Sequence, residues 1–275
     1  MNPGVYHLPA EQYHADPVPG GSLSSTGART ILKSPARFRY DQLHPRATTK
    51  AFDLGHAAHK LVLGIGPTTV RIDAETWNTK AVKAEVAAVR ADGGIPLKPD
   101  EWTAVHKMAE AILLHPLASR LLNPDGGVAE QVLVWQDFDT GMWRRSMLDY
   151  RRGRIIVDYK TAESASPAAF AKSAASYGYH QQDPYYRDGV TALNLADDPP
   201  VFLFIVQEKA PPYLVAVYDL ADDDVQLGRQ CNRMALERYR DCTESGIWPG
   251  YPADTIKTIS LPRYAVRQQE EVLYA

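Results

Sequence analysis

The stretch RRSMLDYRRGRIIVDYKTA, residues 144–162, sets two aspartates and a lysine in sequence that otherwise reads as β-strand. An apolar Ile-Ile-Val run leads directly into Asp158 and Lys160, and Asp149 lies on the segment before it. A charge among apolar neighbours is costly unless it is paired or binds a metal ion. The stretch therefore predicts a strand of a central sheet and a polar site at the end of that strand.

Strand geometry brings these charges together. Residues two apart in a strand share a face, so Asp158 and Lys160 point the same way. If residues 152–153 form a two-residue turn, Asp149 lies opposite Ile156 and diagonal to Asp158, about 7–8 Å away between backbones. Two carboxylates at that separation can hold one divalent cation. Oxygen ligands without cysteine favour Mg²⁺ or Mn²⁺, and a nearby lysine can orient water or stabilise negative charge on a phosphate.

A simpler interpretation of these residues stays open. Asp158 and Lys160 could form a partly solvated ion pair that contributes little to stability. Two further residues favour a site. Glu130 begins the preceding strand and could add a third carboxylate, and His59 lies on an apolar helix, where a buried core histidine is the alternative.

Composition limits the class of protein. The chain has 275 residues, 45% apolar and 23% charged, as expected of a globular protein with a substantial core. A net charge of −3 argues against binding nucleic acid through bulk positive charge, but it leaves room for a local basic groove. Two cysteines predict a reducing compartment without disulfides. Without a signal-like N-terminus or a long apolar stretch, we expect a cytoplasmic protein with no membrane association.

Periodicity predicts one α/β domain, a mixed sheet with helical cover. We expect this domain to consist of an N-terminal arm and helix (1–50), a helical region (51–122) and a sheet core with a C-terminal helix (123–275). Predicted helices cover 22–43 with an interruption at 34–35, 51–64, 75–92, 99–122, 166–195 and 221–245. Predicted strands lie within 129–150, as a hairpin turning at 139–141, and at 152–162, 201–209 and 211–220.

Several motifs occur in the order found in one known family. They are SLSSTGARTILKSPARF (22–38), FDLGHAAH (52–59), HPLASRLL (115–122), Glu130, MLDY (147–150), VDYK (157–160) and YHQQDPYY (179–186). Together they resemble the RecE-type (exonuclease VIII-like) branch of the PD-(D/E)xK nuclease superfamily, which is related to the RecB nuclease domain and lambda exonuclease. The resemblance implies a restriction-endonuclease-like core: a mixed central β-sheet flanked by helices, with an N-terminal helical extension.

The resemblance also implies residue roles. The metal ligands would be Asp149, Asp158, the backbone carbonyl of Tyr159, His59 and Glu130, with Lys160 as the catalytic lysine. Gln182 and Tyr186 match a QxxxY helix that lies beside the DNA backbone. Pro184, inside that helix, predicts a helix start shifted to Asp183 or a kink.

The implied activity is Mg²⁺-dependent hydrolysis at the ends of linear double-stranded DNA, with Mn²⁺ able to substitute. It would release 5′-phosphate nucleotides processively from the 5′ end and leave 3′ single-stranded tails for recombination by annealing. Relatives form homo-oligomeric rings and work with a single-strand annealing protein of the RecT type, often in a phage setting. Candidates for a basic DNA-binding lining, with a solvated surface as the alternative, are Arg144, Arg145, Arg151, Arg152, Arg154, Lys33, Arg37 and Arg39.

Two other functions stay open from the sequence. One is a PD-(D/E)xK endonuclease or structure-specific nuclease. The other is a catalytically inactive protein that binds DNA ends, although every charged position of the site is retained. The chain lacks a glycine-rich GxxxxGK loop, which argues against nucleotide-driven activity.

Overall fold

The computed structural model describes residues 1–44, 53–123 and 125–274. Its strands are β1 (Gly4–Tyr6), β2 (Leu23–Ser24), β3 (Thr69–Arg71), β4 (Ile95–Leu97), β5 (Val128–Gln136), β6 (Trp143–Arg152), β7 (Ile155–Ala162), β8 (Val201–Glu208) and β9 (Val215–Tyr218). Its helices are α1 (Ala10–His14), α2 (Ser25–Lys33), α3 (Pro35–Leu43), α4 (Asp53–Leu63), α5 (Lys80–Ala91), α6 (Pro99–Leu114), α7 (Ala118–Leu121), α8 (Pro167–Tyr177), α9 (Tyr179–Ala192), α10 (Asp222–Ser245) and α11 (Arg263–Leu273).

The main sheet is mixed, as the sequence predicts. Its strand order is β1-β5-β6-β7-β8-β9, with the short β2 paired to β6. Strands β5, β6 and β7 form an antiparallel meander, whereas β7 and β8 run parallel. A parallel pair needs a long crossover, and α8 and α9 provide it. Strands β3 and β4 form a separate small sheet.

Helices cover both faces of this sheet. Successive residues of β7 point to opposite faces, and both sets of side chains are buried against helices. Ile156 packs in the core formed with α2, α8, α9 and α10. Val157 and Tyr159 pack in the core formed with α4 and α6. Both cores are apolar, so the sheet is buried on its two faces and its strands read as nearly continuous apolar runs.

The β6–β7 hairpin corrects the predicted register by one residue. Arg152 pairs with Ile155 and Arg151 with Ile156, so the turn residues are 153–154 and not 152–153. The last pair is Tyr150 with Val157. In this register Asp149 and Asp158 are the next two facing positions, instead of diagonal neighbours.

Helix boundaries follow local capping chemistry. Ser24 Oγ accepts the Gly27 N–H to cap α2, and Ser34 Oγ accepts the Arg37 N–H to cap α3. The predicted interruption at 34–35 therefore separates two helices. The predicted helix 166–195 is also two helices, because Gly178 has φ +68° and both ends α8 and precedes α9.

The predicted effect of Pro184 is wrong in one respect. Helix α9 begins at Tyr179 and contains Pro184 in its interior, so the start is not shifted to Asp183. Proline cannot donate the backbone hydrogen bond that the His180 carbonyl would otherwise accept. Helix α10 approaches α9 at this turn: a Cβ on Gly228 would lie 1.6 Å from the His180 oxygen. One turn further along α10, Asn232 Nδ2 donates to the Gln181 carbonyl at 2.8 Å.

The sequence patterns did not predict several short elements. Strands β1, β3 and β4 have three residues each, too few to show alternation, and residues 75–79 are not helical although the predicted helix included them. Helix α11 was also not predicted, and none of its residues is buried. Among the described residues, no helix has the length and apolar content needed to cross a membrane.

A buried aspartate ties the β5–β6 turn to α10. Asp137 Oδ1 accepts the Thr140 N–H at 3.1 Å and its hydroxyl at 2.8 Å. Arg233 donates to both carboxylate oxygens, at 2.8 and 3.0 Å. Burial alone would raise the pKa of Asp137, but hydrogen bonds from Arg233 and Thr140 outweigh it and hold that pKa below its usual value.

We expect Asp137→Ala to lower the free energy of unfolding at neutral pH by about 3 kcal/mol, the loss typical of breaking a buried pair. Because the folded-state pKa of Asp137 is lowered, this stabilisation is present above the unfolded pKa of about 4 and disappears as pH falls through the folded pKa. Urea unfolding at pH 7 and pH 3 measures it. Asp139→Ala is the matched control, since Asp139 is 67% exposed and also contacts Arg233. Equal losses in the two variants would contradict the assignment.

Candidate active site

A cavity of about 630 Å³ opens where β6 and β7 separate, between α2 and the turn that joins α8 to α9. Asp149, Asp158 and Lys160 line it from the sheet. The strands part here because the backbone ladder ends at the Tyr150–Val157 pair. Beyond that pair, the Asp149 carboxylate and not a backbone carbonyl accepts the Tyr159 N–H, at 2.9 Å. The predicted carboxylates and lysine therefore meet in one place.

Asp158 is the most buried charge of the site, with 1% of its surface exposed. Gln182 Nε2 donates to Asp158 Oδ1 at 2.7 Å, and Lys160 Nζ lies 2.5 Å from Oδ2. That ion pair is close but poorly directed, so Oδ2 has no hydrogen bond of good geometry. Burial raises the pKa of Asp158, and the Lys160 charge only partly opposes the increase.

His59 lies between the other two carboxylates. Its Nε2 is 3.3 Å from Asp149 Oδ2 and its Nδ1 is 3.6 Å from Glu130 Oε1. Burial would lower the pKa of His59, but Asp149 and Glu130 outweigh burial and raise it. Burial alone would raise the pKa of Asp149. Its contacts with His59, Lys160 and the Tyr159 N–H outweigh burial and lower that pKa. The histidine is a charge partner of the site and not an isolated core residue.

Glu130 reaches the site through an unusual backbone. Its φ is +48°, in the left-handed region that non-glycine residues rarely adopt. It faces Asp149 across β5 and β6, between the Ala129–Tyr150 and Gln131–Leu148 pairs. Three adjacent strands thus contribute one carboxylate each, at neighbouring positions.

Lys160 is held as a cation. Burial would lower the pKa of Lys160, but the nearby Asp158 and Asp149 carboxylates outweigh burial and raise it. Its Nζ also lies 5.1 Å from the centre of the Tyr179 ring, within the range of cation–π attraction. A protonated lysine suits stabilisation of negative charge better than removal of a proton.

The carboxylates fit a hard divalent cation. Mg²⁺ is commonly bound through one or two carboxylates, with waters completing its shell. Asp149 and Asp158 provide such a pair, and Asp158 Oδ2 is a buried oxygen without a well-directed donor. Across residues 1–44, 53–123 and 125–274, no three His, Cys, Asp or Glu side chains already converge as a ligand cage. Two carboxylates are therefore the fitting set, and the Tyr159 carbonyl, His59 and Glu130 stay predictions as ligands.

Three of the predicted DNA-binding residues line the same cavity. Gln182 and Tyr186 do so from α9, and Lys33 does so from the end of α2. Gln182 is 6% exposed, and its side-chain amide donates to Asp158. Tyr186 packs edge-on against Phe202, at 5.7 Å between ring centres.

The predicted role of Arg144 and Arg145 is wrong, because both are buried and paired. Arg144 donates to Asp188 at 3.1 Å and lies over the ring of Tyr185. Arg145 donates to the Ser22 carbonyl at 2.7 Å and lies 2.8 Å from Asp16. Neighbouring residues of a central strand point to opposite faces, and here both faces are covered.

The remaining basic candidates contact other parts of the fold. Arg151, Arg152 and Arg154 donate to the Gln131 side chain, the Arg120 carbonyl and the Pro199 carbonyl. Arg37 pairs with Asp41 at 3.1 Å, and Arg39 donates to Gln42 at 2.6 Å. They do not line the cavity of the carboxylates.

Residues of the cavity that the sequence reasoning missed include Arg29, Tyr177 and Tyr179. Arg29 Nη1 donates to the Gly178 carbonyl at 3.1 Å, and Nη2 donates to Thr26 Oγ1 at 3.0 Å. A signal for Arg29 was present: Thr26, Arg29, Thr30 and Lys33 recur at helical spacing on the polar side of α2.

Comparison with known proteins agrees with this geometry. Residues 24–261 match the family described as PDDEXK-like domain of unknown function (DUF3799). A crystal structure from Eubacterium rectale, described as a candidate exonuclease, has a TM-score of 0.61 and 12% identity, covering 95% of this chain and 98% of that chain. At that identity the likeness shows the fold alone. A second solved structure, SSO0001, has a TM-score of 0.27 and 14% identity, covering 75% of this chain and 99% of that chain. That likeness is too weak to support a conclusion.

No curated protein sequence matches the chain. PD-(D/E)xK nucleases generally use divalent metal ions, which agrees with the carboxylate pair. The predicted PD-(D/E)xK fold is confirmed. The match over most of its length shows that this chain belongs to the PDDEXK-like family.

Proposed function

We propose that the chain is a metal-dependent deoxyribonuclease that removes nucleotides from the ends of linear double-stranded DNA. The observation that carries the proposal is the convergence of Asp149, Asp158 and Lys160 on one cavity, with Gln182 fixing Asp158. This constellation suits an attack on a phosphodiester, whose negative charge increases during the reaction.

The reaction is a hydrolysis. A water oxygen joins the phosphorus, the bond from phosphorus to the 3′ oxygen breaks, and the leaving oxygen takes a proton. A divalent cation held by Asp149 and Asp158, Mg²⁺ or Mn²⁺, would supply charge neutralisation and a more acidic water. The Lys160 ammonium stabilises negative charge on the phosphate, and Gln182 keeps the Asp158 carboxylate aimed into the cavity. His59 holds Asp149 and Glu130 in place through their carboxylates.

We further propose a direction of digestion, an assembly and a partner. Processive 5′-to-3′ digestion, a ring of identical subunits and a partner that anneals single strands are supported by the resemblance to RecE-type nucleases alone. Lys33 lines the cavity and would contact a phosphate of the bound strand. Binding should weaken as salt rises, because contacts with phosphates release counterions.

Digestion of end-labelled linear duplex in Mg²⁺ tests the proposal. We expect nucleotides to be released from a 5′-labelled end at early times, and EDTA to stop release. A covalently closed circle is the matched substrate, and it should stay intact. Absence of release from either end in both Mg²⁺ and Mn²⁺ would contradict the proposal.

The same assay separates the alternatives. A PD-(D/E)xK endonuclease would cut the closed circle and give discrete internal products. A protein that only binds ends would retain labelled duplex without shortening it. Lys160 favours catalysis over end binding, because its ammonium lies 2.5 Å from Asp158 Oδ2 and lines the cavity, where a cation suits the negative charge that increases as a phosphodiester is attacked.

A further inference from the structure

The turn between α8 and α9 carries two stacked tyrosines at the mouth of the active-site cavity. The Tyr177 and Tyr179 rings lie 5.8 Å apart at an interplanar angle of 26°. Both residues line the cavity that contains Asp158 and Lys160. Tyr177 is 64% exposed, so much of its ring is accessible at the mouth of this cavity.

The inner ring is fixed by the core. Tyr179 stacks on Phe204 at 5.5 Å and packs against Phe170 at 5.8 Å. The Lys160 ammonium also lies close to Tyr179, 5.1 Å from the ring centre. Tyr179 therefore connects the hydrophobic core to the catalytic lysine, and Tyr177 lies one ring further out along the same stack.

The backbone of the turn is fixed as well. Gly178 has φ +68°, and Arg29 Nη1 donates to its carbonyl at 3.1 Å. A Cβ at position 178 would lie 2.5 Å from Arg29 Cδ, so a larger residue would displace this arginine, and the positive φ itself favours glycine. The two rings are thus presented on a rigid support and not on a flexible loop.

The outer face of Tyr177 is available. Within the part of the chain that the structure describes, Tyr179 is the ring that stacks on Tyr177. A flat exposed ring beside a phosphate-cleaving site has the properties of a base-stacking platform, because every nucleobase has a π-face and stacking tolerates any sequence.

We propose that Tyr177 and Tyr179 form a platform on which the terminal base of the cleaved strand stacks after it leaves its complement. The inference rests on the proposed nuclease function and narrows its substrate: the strand in the cavity is single-stranded for at least one nucleotide. Stacking would hold the terminal nucleotide while the adjacent phosphate meets Asp149, Asp158 and Lys160. Stacking of this kind does not discriminate between bases, which suits a nuclease that digests DNA ends of any sequence.

Binding of a DNA end with 2-aminopurine as the terminal base tests the platform directly. The measurement uses Ca²⁺ and phosphorothioate linkages that slow hydrolysis, so binding is read without turnover. We expect the wild type to quench 2-aminopurine fluorescence. Tyr177→Leu should bind about 5- to 160-fold more weakly, the range for one stacked base, and lose the quenching. Tyr177→Phe should keep both properties.

Two controls complete the test. Tyr264→Leu removes a ring that is 69% exposed on α11, outside the cavity, and should change neither affinity nor quenching. An end with an abasic terminal nucleotide should bind the wild type as weakly as Tyr177→Leu binds the intact end. Tyr177→Leu should not distinguish the two ends.

The outcomes separate the two proposals. Suppose that the wild type digests DNA, and that Tyr177→Leu binds the DNA end and quenches 2-aminopurine as well as the wild type does. The platform proposal is then wrong and the nuclease function stands. If no nucleotides are released in Mg²⁺ although Tyr177→Leu loses quenching and affinity, the nuclease function fails while the platform stands. Equal thermal unfolding of the variants confirms that each one folds.

Discussion

Replacing Asp158 with asparagine should lower Mg²⁺-dependent nucleotide release by about a thousandfold or more, while the protein stays folded. Removing a charge that stabilises the reacting centre typically has an effect of about 10²–10³, and Asp158 both pairs with Lys160 and supplies the buried oxygen. Asparagine keeps the shape and an oxygen that can accept from Gln182. It also removes a charge that is 1% exposed but leaves Lys160 with Asp149 as its remaining carboxylate neighbour, so the melting temperature should change little. Single-turnover digestion and thermal unfolding measure the two effects.

Asp198→Asn is the matched control, because it makes the same change at an exposed position outside the cavity. It should leave release and melting temperature unchanged. Residual release from Asp158→Asn within tenfold of the wild type would contradict the role of this carboxylate. A large fall in melting temperature would show that Asp158 supports the fold and not the chemistry.

Substituting Gly228 with alanine should destabilise the protein by about 3 kcal/mol or more, with a melting temperature lower by roughly 10 °C. Intrinsic propensity predicts the opposite, since alanine stabilises a helix interior by about 0.5–1 kcal/mol relative to glycine. Packing outweighs propensity here, because the added Cβ would lie 1.6 Å from the His180 oxygen, a backbone atom that cannot rotate away. Helix α10 must therefore move off α9. Differential scanning calorimetry gives the change.

The displacement should also reach the active site. His180 and Gln182 belong to the same turn of α9, and Gln182 donates to Asp158, so activity should fall even where Gly228→Ala is still folded. Gly250→Ala is the control, since its Cβ would meet Ala36 Cβ at an ordinary 3.6 Å. A Gly228→Ala variant as stable as the wild type would show that the helices separate without loss.

The sequence predicted the site better than it predicted the surroundings of the site. Asp149, Asp158 and Lys160 were found because strand alternation and a short hairpin leave few arrangements. The register was wrong by one residue because a two-residue turn can be placed at 152–153 or at 153–154 on the same sequence. Both placements bring the carboxylates near each other, so the error did not change the chemistry.

Arg144 and Arg145 show where local patterns fail. A run of charge normally marks a solvated face, but these residues lie on a central strand between two covered layers. Their partners are distant in sequence: Asp188 on α9, and Asp16 and Ser22 in the N-terminal arm. Pairing over such separations is decided by the tertiary fold. The same reason hid Tyr177 and Tyr179, whose importance depends on where α8 and α9 meet the sheet.

The β6–β7 hairpin restricts how this family of sequences can change in length. Three residues separate each aspartate from the turn, 150–152 on one strand and 155–157 on the other. One residue inserted in either arm would send its aspartate to the opposite face of the sheet. The turn at 153–154 can lengthen freely at the surface, so insertions and deletions that preserve the site should be confined to that turn.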